Sequence, residues 1–148
     1  MKAKTLSAMA LAATLATAFI NPASAAGGWI LAADSAEGNT RYFVNAREFD
    51  YTVNKHGVHV FTVPYRHSSD GAVTEGYALV DAVGCWDSGG QLIMANAEGT
   101  RTKKFHWSPD GSRMYDSVAN TICEIGKAKA ANKTLTPSEQ VKPAGKYY

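Results

Sequence analysis

The chain has 148 residues, of which 45% are hydrophobic, and 15 lysines and arginines stand against 13 aspartates and glutamates. This length fits one domain with a modest core. Residues 26–126 carry 8 lysines and arginines against 12 aspartates and glutamates, and this acidic balance, together with the export predicted below, argues against a nucleic-acid-binding protein. No segment beyond the N-terminus has the roughly 20 apolar residues that a membrane span needs.

The N-terminus has the features of an export signal. Lys2 and Lys4 precede an apolar stretch over residues 9–20, and residues 23–25 form a small-residue cleavage site. We therefore predict a signal peptide over residues 1–25 and an exported product. The leader contains no cysteine, so we do not expect a lipid anchor. The expected location is the periplasm or the cell surface.

Short segments of alternating polarity with turn residues between them predict an antiparallel sheet. The predicted strands cover residues 29–33, 40–44, 49–53, 58–63, 77–83, 91–95 and 101–107. Residues 54–57 are a predicted turn, because Gly57 can take a positive φ without steric cost. Residues 67–72, which include Ser68, Asp70 and Gly71, are a predicted loop.

The periodicity changes after residue 112 and predicts a C-terminal helix. The apolar residues at helical spacing are Met114, Val118, Ile122 and Ile125. Asp110 or Ser112 is expected to cap the start of this helix, and Gly126 is expected to end it.

The chain has two cysteines, Cys85 and Cys123. In an oxidising compartment an isolated pair predicts a disulfide, which here would tie the helix to the end of a strand. The sequence thus predicts one α+β domain over residues 26–126. The tail over residues 127–148 carries five lysines and one acidic residue, Glu139, and is predicted to be disordered.

No motif predicts catalysis or metal binding. His56 and His59 are three residues apart, a spacing that places them on opposite faces of a strand. No Cys–His spacing resembles a zinc site, and no serine lies in a Gly-x-Ser-x-Gly motif. We predict that the protein is not an enzyme and that it needs no cofactor.

Two groups of residues are candidates for recognition. The first is a basic strip on the last predicted strand, formed by Arg101, Lys103, Lys104 and His106. It suits an anionic partner, or it protects an exposed strand edge from pairing with another chain. On this strand Phe105 shares a face with Arg101 and Lys103.

The second candidate group is Tyr65, Arg66 and His67, just past the end of a predicted strand. Aromatic and arginine side chains are enriched at binding hot spots, and loops often carry function. The alternative is an ordinary surface loop.

The order of these segments resembles the surface-adhesin protein E family of Gram-negative bacteria. The similar segments are residues 28–31, 41–44, 58–61, the strand into Cys85, and residues 105–112 leading into the helix with Cys123. The resemblance implies a curved antiparallel sheet of about six strands, with a C-terminal helix tied to it by the disulfide. It also implies binding to host matrix or serum proteins and an ability to form homodimers.

Two functional hypotheses follow. The first is an exported envelope binding protein that resembles the adhesin and binds host proteins or another envelope component. The second is a periplasmic small-ligand carrier or enzyme inhibitor that shares the scaffold alone. The second predicts a concave pocket of several hundred Å³ between sheet and helix. Its predicted lining is Tyr42, Phe61, Tyr77 and Tyr115.

Overall fold

The computed structural model describes residues 27–132, which form a seven-stranded antiparallel sheet and one C-terminal helix. The strands are β1 (Trp29–Asp34), β2 (Thr40–Asn45), β3 (Asp50–Val53), β4 (His59–Ser69), β5 (Ala72–Asp81), β6 (Gly90–Asn96) and β7 (Thr102–Trp107), and the helix is α1 (Met114–Asn132). Two short 3-10 helices, Ala46–Glu48 and Val83–Cys85, connect strands. The predicted signal peptide and residues 133–148 of the predicted tail lie outside the described residues.

The strand order is β1-β2-β4-β5-β6-β7, and β3 pairs with the part of β4 that β2 does not reach. The sheet is gently curved and does not close. The predicted fold class is therefore confirmed: an antiparallel sheet, one C-terminal helix and a disulfide between them. The sheet has one strand more than the six that the resemblance implies.

The prediction of a loop over residues 67–72 is wrong. β4 continues to Ser69 and β5 starts at Ala72, so only Asp70 and Gly71 form the turn. Their φ angles of 49° and 83° are those of a tight two-residue hairpin turn, in which Asp-Gly is a favoured pair. The long β4–β5 hairpin places Tyr65, Arg66 and His67 within a strand and not beyond its end.

The core lies between α1 and the sheet face that α1 covers. Strand alternation turns Phe61 and Val63 of β4 toward the helix, together with their cross-strand partners Val80 and Ala78. The largest fully buried core side chain is Trp107 of β7. The helix contributes the apolar stripe predicted from its spacing, including Val118 and Ile122, both fully buried.

Gly126 does not end α1, contrary to the prediction, because the helix continues to Asn132. Residues 127–132 are thus helical, where the sequence predicted a disordered tail. A Cβ at Gly126 would clash with the buried Phe61 ring, with 2.6 Å to Cδ2 and 2.7 Å to Cζ. The glycine lets the helix approach the sheet closely at this point.

The side chain that stabilises the start of α1 is Asp116 in its first turn, and not Asp110 or Ser112, which were the predicted caps. The fully buried Asp116 carboxylate accepts hydrogen bonds from the backbone N–H of Ser108 (3.0 Å) and Arg113 (2.9 Å). It also accepts bonds from Nε (2.8 Å) and Nη2 (3.0 Å) of the Arg113 guanidinium. Arg113 is the residue just before the helix, and an acid of the first turn that accepts from the backbone N–H of that residue forms half of a capping box.

The predicted disulfide joins Cys85, in the connection between β5 and β6, to Cys123 in the middle of α1, with 5.2 Å between the two Cα atoms. It fixes the helix to the sheet and fits an oxidising compartment. Within residues 27–132, no helix is long and apolar enough to cross a membrane.

Candidate binding groove

The helix covers only part of its face of the sheet, and an open groove of about 380 Å³ lies on the remainder. Five neighbouring strands contribute to this sheet groove, namely β2, β4, β5, β6 and β7. Its lining includes Tyr42, Tyr65, His67, Met94, Lys103 and Phe105.

Cross-strand register assembles the aromatic side of the sheet groove. Tyr42 of β2 is directly opposite His67 of β4, and the two rings stack with their centroids 4.4 Å apart. The Tyr65 ring lies 6.4 Å from the Tyr42 ring. Burial raises the pKa of both tyrosines, with a further contribution from Tyr65 at Tyr42, so neither phenol brings negative charge.

A glycine opposite Tyr65 provides the space for its ring. Gly76 of β5 is the cross-strand partner of Tyr65, and a Cβ there would lie 2.8 Å from Tyr65 Cε1 and would clash with the carbonyl oxygen of Ala95. The Tyr65 ring therefore occupies the space that a side chain at position 76 would fill. An aromatic ring in this arrangement shields a glycine within a strand.

The opposite side of the sheet groove is cationic. Arg101 and Lys103 both line it, and both side chains are exposed. Among residues 27–132, neither forms an ion pair with a carboxylate. Glu75 also lines the sheet groove, but its carboxylate is held by the Arg66 guanidinium, with 2.8 Å from Nε and 2.7 Å from Nη2.

His67 lies within the influence of Lys103. Burial lowers the pKa of this imidazole, and the positive charge of Lys103 lowers it further. His67 Nδ1 is 3.4 Å from the Thr74 hydroxyl. At neutral pH the histidine is therefore neutral, and the positive charge of the sheet groove resides on Arg101 and Lys103.

Phe105 connects the sheet groove to the start of the helix. Its ring stacks on Tyr115 of α1, with 4.7 Å between the two centroids. The Arg113 guanidinium in turn lies over the Tyr115 ring, 4.3 Å from its centroid. Because Arg113 also binds Asp116, the helix cap and the end of the sheet groove form one connected cluster.

The structure brings four of the seven candidate recognition residues together and separates the other three. Tyr65 and His67 join Arg101 and Lys103 in the sheet groove. Strand alternation sends the remaining three to the opposite face of the sheet. These are Arg66, Lys104 and His106.

On that opposite face, Arg66 lies over the Trp29 ring, with its Cζ 4.4 Å from the ring centroid. Lys104 and His106 are cross-strand partners of Ile93 and Gln91. The basic strip predicted on the last strand is therefore not one surface, because neighbouring residues of a strand point to opposite sides of the sheet.

The predicted lining of a pocket between sheet and helix is correct for Tyr42 alone. Phe61 is 2% exposed and belongs to the core, and Tyr77, 45% exposed, is on the opposite face of the sheet. Tyr115 does not line the sheet groove but covers Phe105 from the helix. Lining residues that the sequence did not indicate include Thr74, Met94 and Asn96, whose positions follow only from the register of β4, β5 and β6.

Within residues 27–132, no group of three or more His, Cys, Asp or Glu side chains is arranged to hold a metal ion.

Comparison with protein-family models, with curated proteins and with solved structures gives no match to this chain. The resemblance to the surface-adhesin protein E family stays a prediction from the sequence.

Proposed function

We propose that this protein is an exported binding protein, and not an enzyme, and that it holds a small ligand in the sheet groove. The observation that carries the proposal is that Tyr65 and His67 of β4 lie on one concave surface with Arg101, just before β7, and Lys103 of β7. This function corresponds to the carrier or inhibitor hypothesis.

The dimensions of the sheet groove favour a small ligand. A volume of about 380 Å³ falls within the range of roughly 300–1,000 Å³ found for small-molecule sites. The mixture of aromatic planes with a few polar and charged groups is also typical of such sites.

The chemistry of the sheet groove favours binding over catalysis. Its imidazole, His67, lies 3.4 Å from the hydroxyl of Thr74, and among residues 27–132 it forms no ion pair with a carboxylate that would orient it as a general base. Glu75 is already paired with Arg66. These groups are arranged to contact a ligand and not to transfer protons.

Export is supported by the sequence of the leader and by the Cys85–Cys123 disulfide. We place the protein in the periplasm or at the cell surface.

The proposal is tested by two-dimensional 15N–1H spectra of the purified protein with a library of small neutral, cationic and anionic compounds. Binders should perturb the amide signals of Gly76, in the floor of the sheet groove, and of Lys103, on its cationic side. Tyr65→Ala should abolish these effects, whereas Tyr77→Ala, a matched change on the opposite face, should not. Perturbations confined to other regions, or no binder at all, would contradict the proposal.

A second candidate is a protein-binding surface like that of the adhesin, on the sheet face that α1 does not cover. Three apolar side chains are exposed there: Leu31 by 50%, Val73 by 57% and Tyr77 by 45%. Exposed apolar groups beside the Trp29–Arg66 pair are typical of protein contacts. Binding to immobilised host matrix proteins that Leu31→Asp abolishes would favour this candidate; binding that Leu31→Asp leaves intact would reject it.

A further inference from the structure

We propose that the ligand of the sheet groove is a small planar aromatic compound that carries a carboxylate. This inference rests on the proposed binding function and adds the chemical class of the ligand. Three features carry it: the ring surfaces, the two cations without a carboxylate partner among residues 27–132, and the distribution of charge between the two faces of the sheet.

The ring surfaces fit a flat apolar ligand. The stacked pair of Tyr42 and His67, the Tyr65 ring over Gly76 and Phe105 on the far side present aromatic groups around one space. Met94 lies in the floor, and its thioether makes favourable contacts with aromatic rings. Offset stacking and edge contacts with a planar ring are the interactions that such a lining offers.

The charged groups fit an anion. Arg101 and Lys103 line the same side and lack a carboxylate partner among residues 27–132. The one acid of the lining, Glu75, is the cross-strand partner of Arg66, and its carboxylate pairs with that guanidinium on the opposite face of the sheet. A carboxylate next to Lys103 would complete a charge-assisted hydrogen bond, whereas a cationic ligand would be repelled.

The arrangement of the cations disfavours a polyanion such as an acidic polysaccharide. A long polyanion needs a continuous basic track, but Lys104 and His106 face the other side of the sheet from Arg101 and Lys103. The two cations of the sheet groove match one or two negative charges. Its volume of about 380 Å³ accommodates a ligand of one or two fused rings.

The test is isothermal titration calorimetry with three compounds of nearly equal shape: indole-3-acetate, neutral indole-3-acetamide and cationic tryptamine. We expect the acetate to bind about tenfold more tightly than the acetamide, the factor that about 1.4 kcal/mol gives, and tryptamine to bind least. Raising the salt concentration should lower the affinity for indole-3-acetate and leave the affinity for the acetamide unchanged, because only the charged contact is screened.

Adjacent residues of β7 supply a matched pair of variants. Lys103→Gln should reduce the affinity for indole-3-acetate several-fold, with Arg101 retained, while Lys104→Gln, on the opposite face, should leave this affinity unchanged. Both side chains are exposed, so both variants should fold, which a melting curve checks.

The outcomes separate the ligand class from the binding function. If the acetate and the acetamide bind equally, or if Lys103→Gln has no effect, the carboxylate assignment is overturned and the binding function stands. If none of the three binds while other library compounds perturb the sheet groove, the ligand class is again overturned. If no compound of any charge perturbs it, both proposals fall.

Discussion

Lys103 of β7 and His67 of β4 both line the sheet groove, and the charge of the lysine lowers the pKa of the imidazole. The two residues are 36 positions apart in the sequence, and two intervening strands, β5 and β6, set the distance between them. This coupling is measurable without knowledge of the ligand.

Lys103→Gln should therefore raise the pKa of His67 toward its ordinary value of 6.5, because the repelling charge is gone while burial remains. The measurement is an NMR titration of the imidazole protons. Lys104→Gln is the control and should leave this pKa unchanged. An unchanged His67 pKa in Lys103→Gln would contradict the coupling.

The same residue makes stability depend on pH. His67 has a lower pKa in the folded protein than in the unfolded chain, so below pH 6.5 the unfolded chain binds the proton more readily. Stability should fall as the pH drops from 6.5 through the folded pKa. His67→Gln should reduce this loss in urea titrations at pH 7.5 and 5. The groups that contact His67 or act on its charge, namely Tyr42, Thr74 and Lys103, are unchanged in that variant.

Gly126→Ala should destabilise the protein although alanine is the better helix former. The propensity gain is about 1 kcal/mol, but the added methyl group overlaps the buried Phe61 ring, and overpacking of a core costs about 1–3 kcal/mol. Thermal melting measures the result. Ser117→Ala, at an exposed position of the same helix, should be neutral or slightly stabilising. A Gly126→Ala protein that melts higher than wild type would show that the helix does not approach Phe61 so closely.

Asp116→Asn should lower stability by about 1–3 kcal/mol, the cost of removing one partner from buried hydrogen bonds. Its carboxylate is fully buried and accepts bonds from Ser108 and Arg113. Arg113 holds the pKa of this carboxyl well below its usual range of about 3.8, so the contribution is present above pH 4 and is lost as the pH falls through the folded pKa. The difference in free energy of unfolding between wild type and variant, measured by urea titration, should be smaller near pH 2 than at neutral pH. Asp110→Asn, the cap expected from sequence, should have no effect.

Loss of the disulfide should cost roughly 4 kcal/mol in the chain-entropy model, since Cys85 and Cys123 are separated by 38 residues. The double variant Cys85→Ala and Cys123→Ala should melt at a lower temperature than the oxidised protein. Wild type under reducing conditions should behave like the double variant. A melting curve that does not respond to a reductant would contradict a structural role of the bond.

The fold was largely predictable because its signals are local. Strand alternation and the spacing of Val118 and Ile122 reflect which face is buried. The end of the helix was not predictable, because a glycine such as Gly126 is equally compatible with a helix end and with a close helix–sheet contact. Only the position of the Phe61 ring distinguishes the two. The β4–β5 turn was hidden among polar residues, of which only Asp70 and Gly71 leave the ladder.

The residues of the candidate site were predictable in part, but their arrangement was not. The sequence indicated Tyr65 and His67 as one group and Arg101 and Lys103 as another. Their meeting depends on the register of four strands, which follows from where each hairpin turns. The same register separates Lys104 from Lys103, so the sequence grouped residues that the sheet places on opposite faces.

The disulfide also has a consequence for the kinetics of binding. Cys123 anchors α1 to the sheet, and Tyr115 of the same helix rests on Phe105 at the end of the sheet groove. The helix is therefore held against the sheet at both of these contacts, and we expect the concave surface of the proposed site to exist before a ligand arrives. Association should then be a single bimolecular step, with an observed rate that rises linearly with ligand concentration and shows no plateau from a preceding opening of the protein.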